Sequence, residues 1–573
     1  MASLIAKRKK NKLYYYVVDS ARVQGRPRIV HQTYLGSAEK VAALLKERTA
    51  PLPLSASRRE LGPPGALWLA AQQSGVFALL QSLWEPPRSG PSPAHYLLLA
   101  AMHRICSPGP KTTVAEWYQQ TILSPLWGFA PERFSSQAFW DCFEQLLPEK
   151  QAEEQSEERD PLEEAQVRLL GLWKEKQLLS RRLLAYDTTN LHTFIATTNT
   201  RNTVAQRDHN KQGRHNLRQV GLSYVLDGES GLSLCHHVYP GNVADAEEFP
   251  VALERIQRLL ARHAIPPETV TLVFDKGAAA LANTVLLQEA GLGWISALPW
   301  NQAPAEFRQR PVEVLPACSS AQPGVQAAAE KLRVQREEYL CVLKYSATFA
   351  AEQLHSLSAS LSKVLGALKR LAVEMARPGN RLTPVGIEAK IRRWLAAPFL
   401  SGLVHHQILD EPGGRSLLFQ VDHAALQKLV MHRLGRTLLI TNRRDWTAEQ
   451  VVAAYAGQQA IEQVFRGLKE GDWPNWQPLY HWTDSKIRVH AFYCLLGLSL
   501  LHYVHRQAQS FWPSITVERL QEELEQIQQF VLLYPAQGAG PYRTATVTST
   551  QSLIQKGLTE TLGLQQFGTS RSG

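Results

Sequence analysis

The alternation of apolar and polar positions divides the chain into stretches of different character. Leu13–Asp19 and Pro27–Leu35 are β-rich and meet around Gln24-Gly25, which predicts a hairpin. Ala38–Arg48 predicts a short helix, and Ala50–Gly65, with its prolines and glycines, a linker. From Ala66 to Arg182 the period is helical, broken by the Pro/Gly/Ser-rich loop Glu85–Pro93. The acidic run Glu149–Glu164 reads as a solvated helix face or a flexible connector.

The middle of the chain changes period. Leu183–Tyr186 is a short apolar run ending at Asp187, and Val220–Leu226 and Leu232–Tyr239 follow as strands with a turn at Asp227-Gly228. Ala246–His263 predicts an amphipathic helix and Val270–Phe274 another apolar run, ending at Asp275. Ala278–Ala290 then predicts a helix and Trp294–Leu298 a strand. Near-continuous apolar strands suit a sheet covered on both faces, so this order predicts a mixed α/β core. Trp300 to about Leu434 interrupts it with apparent strands (Tyr339–Tyr345, Ser416–Val421) and long helices (Ala350–Ala376, Pro384–Leu395). That is too long for a connection and reads as an inserted α+β domain.

Arg436–Thr441 restores a strand and Ala448–Lys469 predicts a single helix. Ser485–Leu533 is helical, and the Ser/Thr/Gly/Gln-rich end is expected to fray. The division that follows is a hairpin-and-helix segment over 1–60 and a helical region over 61–182. The two parts of the core are 183–300 and 436–505, the insertion 301–435, and the C-terminal helical region and tail 506–573.

Length and charge narrow the class. The 573 residues correspond to roughly three or four domains, and a formal charge of +11 favours polyanionic partners without deciding for them. The six cysteines form no CxxC pair, which argues against a zinc ribbon or a disulfide framework and for reduced thiols. The basic start lacks a following apolar segment, which argues against a signal peptide. The apolar run Ala491–Val504 is shorter than the ~20 residues of a membrane span. The expectation is a soluble intracellular protein, cytoplasmic and associated with the nucleoid, with no membrane partner.

Asp187 and Asp275 each close an apolar run, and an acid there sits at the carboxyl edge of a sheet, where such sheets place ligands. Two close carboxylates repel unless a cation lies between them, and oxygen ligands at an open site favour magnesium or manganese. A pair of such ions bridging a phosphodiester activates the attacking oxygen and stabilises the leaving one. Thr447 with Gln450 is a capping-box pattern that sets a helix start. On a continuous helix from there, Tyr455, Gln458, Glu462, Arg466 and Lys469 share one stripe beside apolar Val451, Val452 and Ile461. Glu462 then completes a metal shell, with Lys469 and Tyr455 reaching a phosphate; the plainer alternative is an exposed helix with Glu–Arg pairing at i,i+4.

Tyr455-x2-Gln458-x3-Glu462-x6-Lys469 resembles the Tyr–Arg–Glu–Lys signature of DDE insertion-sequence transposases, with Gln at the Arg position. Thr437–Asn442 before it, Phe465–Lys469 at its close and Asp484–His490 beyond also match. Upstream, Tyr186-Asp187-Thr188-Thr189 is similar to the family's first acid, His209–Gln219 to its basic loop, Pro240–Asp245 to its turn into the first core helix, and Phe274-Asp275-Lys276-Gly277 to its second acid. The resemblance implies an RNase H-like core interrupted by a β-rich insertion, with Asp187, Asp275 and Glu462 as the catalytic, metal-holding triad. It also implies Mg2+-dependent strand cleavage and transfer, with Mn2+ substituting and two ions per site. The implied partners are terminal inverted repeats and target DNA, in a homodimeric synaptic complex. An amide at Gln458 cannot replace a guanidinium on phosphate. The departure predicts weakened end binding and a less active copy unless Arg466 or another base substitutes, and predicts that Gln458→Arg strengthens end binding.

Arg201, Arg207, Lys211, Arg214 and Arg218 crowd the segment after Asp187, a set that would neutralise phosphates or line a solvated loop. Lys7–Lys12 reads either as a DNA-following arm or as a charged terminus, and the helices at 111–147 are a candidate helix-turn-helix. Trp473, Trp476 and Trp482 follow the signature; each is foremost a core residue, with stacking on an unpaired base as the sharper alternative. Two further readings stay open: a metal-dependent nuclease or resolvase on the same sheet, and a DNA-binding protein derived from a transposase.

Overall fold

In the computed structural model, which describes residues 2–9, 12–23, 26–37, 40, 53–148, 160–180, 182–208, 216–275, 281–318, 324–334, 337–377, 382–411, 414–470, 475–535, 542–568 and 571–572, the apolar runs of the middle are strands of one sheet. The chain falls into two units, one of 1–65, 120–122 and 518–573, the other of 66–119 and 123–517.

In the first unit, β1 (Ala2–Lys9), β2 (Lys12–Val23) and β3 (Arg26–Ser37) form an antiparallel sheet. The expected pairing of the second and third strands is present, while the turn Gln24-Gly25 lies outside the described residues. Lys7–Lys9 belong to β1 rather than to a free arm, and Lys7 Nζ donates to Gln32 Oε1 at 2.6 Å. The stretch expected as a linker contains β4 (Ser55–Glu60), which pairs with a strand near the chain's other end, Gln528–Tyr534. No local pattern reveals a partner so distant in sequence. The C-terminal stretch is likewise more structured than its composition predicts, with a strand Arg543–Thr548 and a capped helix Leu553–Thr561. The helix expected over 38–48 lies almost wholly outside the described residues.

In the second unit the strands are β5 (Leu183–Thr193), β6 (Arg218–Asp227), β7 (Ser233–Pro240), β8 (Thr271–Phe274), β9 (Gly293–Ala297), β10 (Val325–Val334), β11 (Glu337–Ser346), β12 (Val404–Glu411), β13 (Gly414–Val421) and β14 (Arg436–Thr441). The large sheet has the order β10-β11-β14-β9-β8-β5-β6-β7. β5, β6 and β7 are antiparallel neighbours, and β8 and β9 run parallel to β5. This antiparallel meander followed by parallel crossovers is the RNase H-like arrangement, and the fold is mixed α/β.

Alternation along each strand sends side chains to two cores. Leu184, Tyr186, Leu272, Phe274 and Trp294 join one, against Phe249, Leu253 and Ile256 of the helix Asp245–Arg262. Leu183, Val273, Ile295 and Leu439 join the other, against Val451 and Val452. Burial on both faces is why these strands read as near-continuous apolar runs.

The interrupting segment both extends the sheet and stands beside it. β10 and β11 form a hairpin whose second strand pairs antiparallel with β14. The helices Ala347–Met375 and Pro384–Trp394 and the hairpin β12–β13 instead build their own core around Leu368, Leu371, Ile387 and Leu417. The 26-residue helix Asp484–Gln509 is long and apolar enough to cross a membrane by length and composition, yet 83% of its most apolar stretch is buried inside the protein. It packs on the helix Pro93–Cys106, closely enough that a Cβ on Gly497 would lie 2.8 Å from the Ala101 carbonyl oxygen.

Candidate active site

β5 and β8 pair in register from Leu183–Thr271 to Tyr186–Phe274. The next residue on each is an aspartate, so Asp187 and Asp275 emerge side by side. Alternation continued past the ladder puts both on the face of Leu183 and Val273, which the helix bearing Val451 and Val452 covers. β5 does not stop at Asp187, as its apolar run predicts. It continues to Thr193 because β6 still pairs with it, with Asp187 opposite Tyr224.

The helix expected over 448–469 is two helices, Ala448–Tyr455 and Gly457–Glu470. The capping box is formed: Gln450 N–H donates to Thr447 Oγ1 at 3.2 Å and Thr447 N–H to Gln450 Oε1 at 2.8 Å. The break falls beside Gly457, where a Cβ would lie 3.2 Å from Leu183 Cδ2. A continuous stripe is therefore divided: Tyr455 ends the first helix, while Gln458, Glu462, Arg466 and Lys469 ride on the second.

That second helix packs on β5 and β8 and brings Glu462 into the field of the aspartates. Burial pushes the Asp187 carboxyl up to about 7, reinforced by the charges of Asp275, Asp245 and Glu462, while the Thr188 N–H donating to Oδ1 at 2.8 Å opposes the shift. Burial and Asp275 raise Glu462, with Arg466 opposing. The Tyr455 hydroxyl is raised by burial and by Asp275, Glu462 and Asp187. Asp187, Asp275, Glu462 and Tyr455, far apart in sequence, thus form one electrostatic cluster. Asp245, in the first turn of the helix Asp245–Arg262, is a fourth acid in Asp187's field. Its signal in the sequence was the Pro240–Asp245 turn, read there only as a turn.

A half-buried carboxylate raised by like charges is relieved by a divalent cation, and an all-oxygen donor set suits Mg2+ or Mn2+. Asp187, Asp275 and Glu462 fit such an ion by chemistry, although among the described residues no three His, Cys, Asp or Glu side chains stand close enough to hold a metal ion as they are.

The DNA-facing candidates fare differently. Arg466 is exposed and Lys469 half-buried near the helix end. Gln458, expected on the DNA side, is only 2% exposed, with Nε2 3.5 Å from the Tyr186 carbonyl oxygen. Its side chain therefore faces β5 and the core. Lys211 and Arg214 lie outside the described residues. Arg218 donates to the carbonyl oxygens of Asn199 and Thr197 at 3.0 and 2.7 Å, so its guanidinium braces a loop. Trp476 is fully buried, as expected of a core residue; Trp482 is 38% exposed, and Trp473 lies outside the described residues.

An RNase H-like sheet with carboxylates from two adjacent strands and an overlying helix defines the class of protein. The chain belongs to the family described as the transposase DDE domain, whose model matches residues 179–474. Among solved structures, the chain is similar to the piggyBac transposase in its synaptic complex with hairpin DNA, at 9% identity and a TM-score of 0.35 over 82% of each chain. It is also similar to the Mos1 transposase in a paired-end complex with the left transposon end, at 16% identity and a TM-score of 0.15 over 37% of this chain and 60% of that one. No curated protein matches the sequence.

Proposed function

We propose that this transposase-family chain binds terminal inverted repeats and carries out cut-and-paste DNA transposition, with Asp187, Asp275 and Glu462 holding two divalent metals. The observation that carries the reading is that Asp187, within β5, and Asp275, just past β8, stand side by side beneath the helix of Glu462. Bound there, Mg2+ or Mn2+ would supply activation of the attacking oxygen and charge stabilisation of the leaving one. The chain's own groups do the positioning. The Thr188 N–H fixes one oxygen of Asp187, and Arg466 lies one helical turn beyond Glu462, on the exposed side, where it would meet a phosphate. Tyr455 and Lys469 flank Glu462 in sequence, and that spacing supports assigning the chain to the Tyr–Arg–Glu–Lys branch of the family. The region 61–182 is the part we assign to reading DNA, the working species is a homodimer joining two ends, and the setting is cytoplasmic.

The test is cleavage of labelled DNA carrying the flanking inverted repeat, in Mg2+, Mn2+ or EDTA, beside Glu462→Gln. Metal-dependent nicking at the repeat end that the variant lacks is the expected result. Binding without nicking under every condition would leave a DNA-binding protein and sink the enzymatic reading.

A further inference from the structure

Away from the carboxylates, a cavity of about 520 Å3 opens among the helices Pro93–Cys106 and Ser136–Leu146 and the segment 478–482. That size lies within the roughly 300–1,000 Å3 of small-molecule sites. Among the described residues that line it none is Asp or Glu, while Arg104 and Lys111 are basic.

Arg104 is 1% exposed. Its terminal nitrogens donate to the carbonyl oxygens of Asn475, Gln477 and Pro478 at 3.3, 2.8 and 3.4 Å, and its Nε has no partner among the described residues. Lys111 Nζ donates to the Tyr493 hydroxyl at 2.5 Å and sits 4.2 Å from that ring's centroid. No carboxylate is among the charges that act on Lys111; Arg104 and Cys494 are. Burial and the neighbouring Arg104 hold the Lys111 ammonium well below its ordinary range. A buried guanidinium beside a half-buried amine at a cavity wall is an arrangement that a bound anion would stabilise.

The opposite character lines the mouth. Trp140 and Trp482 stack with centroids 5.3 Å apart and planes 21° from parallel. The Arg201 guanidinium lies 5.5 Å from the Trp482 ring centroid. Buried positive charge beside a partly exposed indole is the chemistry that takes a planar base joined to a phosphate.

We propose that this cavity is a nucleotide site, with the phosphate held at Arg104 and Lys111 and the base stacked on the exposed Trp482. A free nucleotide and an unpaired nucleotide within a DNA strand share that chemistry; the strand source rests on the DNA-processing reading above, and the free source does not.

The test uses the full chain with four probes: thymidine 5′-monophosphate, single-stranded oligothymidylate, an abasic oligomer of equal length, and duplex DNA. Oligothymidylate is expected to bind at least about tenfold tighter than the abasic oligomer, by the stacking of a base on an aromatic ring. Trp482→Ala is expected to erase that difference, with Trp482→Phe restoring it and duplex affinity changing less than about twofold in either variant. Lys111→Met should weaken both strand probes. Base-dependent binding of the oligomer alone assigns the site to DNA strands, and of the monophosphate alone to free nucleotides. Equal binding of the normal and abasic oligomers with no monophosphate binding, or a Trp482→Ala protein that behaves as wild type, overturns the proposal. Nicking of the inverted repeat, followed in the same preparations, separates the two failures: nicking without base-dependent binding sinks only the cavity proposal, and base-dependent binding without nicking sinks only the enzymatic one.

Discussion

Asp187 and Asp275 are the first residues beyond the last paired position, Tyr186–Phe274, of two adjacent parallel strands. Register alone brings them together, and burial with mutual repulsion holds the Asp187 proton to about pH 7. The site is therefore assembled at a cost that a cation would offset.

Removing any one charge of the triad should stop the chemistry. Asp187→Asn, Asp275→Asn and Glu462→Gln are each expected to lower nicking by at least ~10^3-fold while leaving affinity for the repeat within a few-fold. A variant that still nicks at the wild-type rate takes its residue out of the metal shell.

The raised Asp187 carboxyl makes metal-free stability depend on pH in a definite direction. A folded value near 7, against 3.8 for the ordinary group, means that the folded state binds the proton more tightly than the unfolded one. The acid is neutral and harmless below about pH 4, and its destabilisation grows until it is complete above pH 7. At ~1.4 kcal/mol per pKa unit the full effect is at most on the order of 4 kcal/mol. In EDTA, Asp187→Asn should therefore melt above wild type at pH 8 and match it at pH 4. The same proton must leave before a cation can bind, so Mn2+ affinity measured by calorimetry should rise from pH 6 to 8. A pH-independent difference in melting would mean that Asp187 is not under this pressure.

Gln458→Arg is where structure reverses the expectation drawn from pattern. With its side chain 2% exposed on β5, a guanidinium there would be buried without an anion. Burial of an unpaired polar or charged group costs about 1–3 kcal/mol or more. A lower melting temperature with no gain in end affinity at several salt concentrations is expected. Tighter binding at low salt with unchanged melting would show that this side chain reaches the DNA after all.

Gly221 lies on β6 beneath Tyr239, whose ring would come within 2.2 Å of an added Cβ. Tyr239 is 2% exposed and has little room to withdraw. Gly221→Ala should cost about 1–3 kcal/mol by overpacking, seen as a lower urea midpoint. Adding Tyr239→Ala should return much of the loss relative to Tyr239→Ala alone; additive losses would refute the contact.

Much of this was legible locally. The runs 183–186 and 270–274 announced buried strands because both faces of each strand meet a core, and the capping box at Thr447 announced a helix start because its two hydrogen bonds join residues three apart. The stripe from Tyr455 to Lys469 misled because it assumed an unbroken helix. The break falls beside Gly457, which lies against Leu183, a contact no local period encodes. Ser55–Glu60 reads as a linker for a similar reason, since its partner strand is the distant Gln528–Tyr534. Asp245 reads locally as a turn residue because its place in the field of Asp187 follows only from the packed helix.

The sequence by itself determined which acids follow buried apolar runs, which stretch of helix carries the third, and which family their order resembles, because those properties follow from residue type and short-range spacing. Only the tertiary structure decided that Asp187 and Asp275 share a register, that Gln458 turns inward, and that Arg104 and Lys111 meet Trp140 and Trp482 around one cavity. Strand pairing and burial join residues hundreds of positions apart, and the energy of those contacts resides in the packed whole rather than in any segment of it.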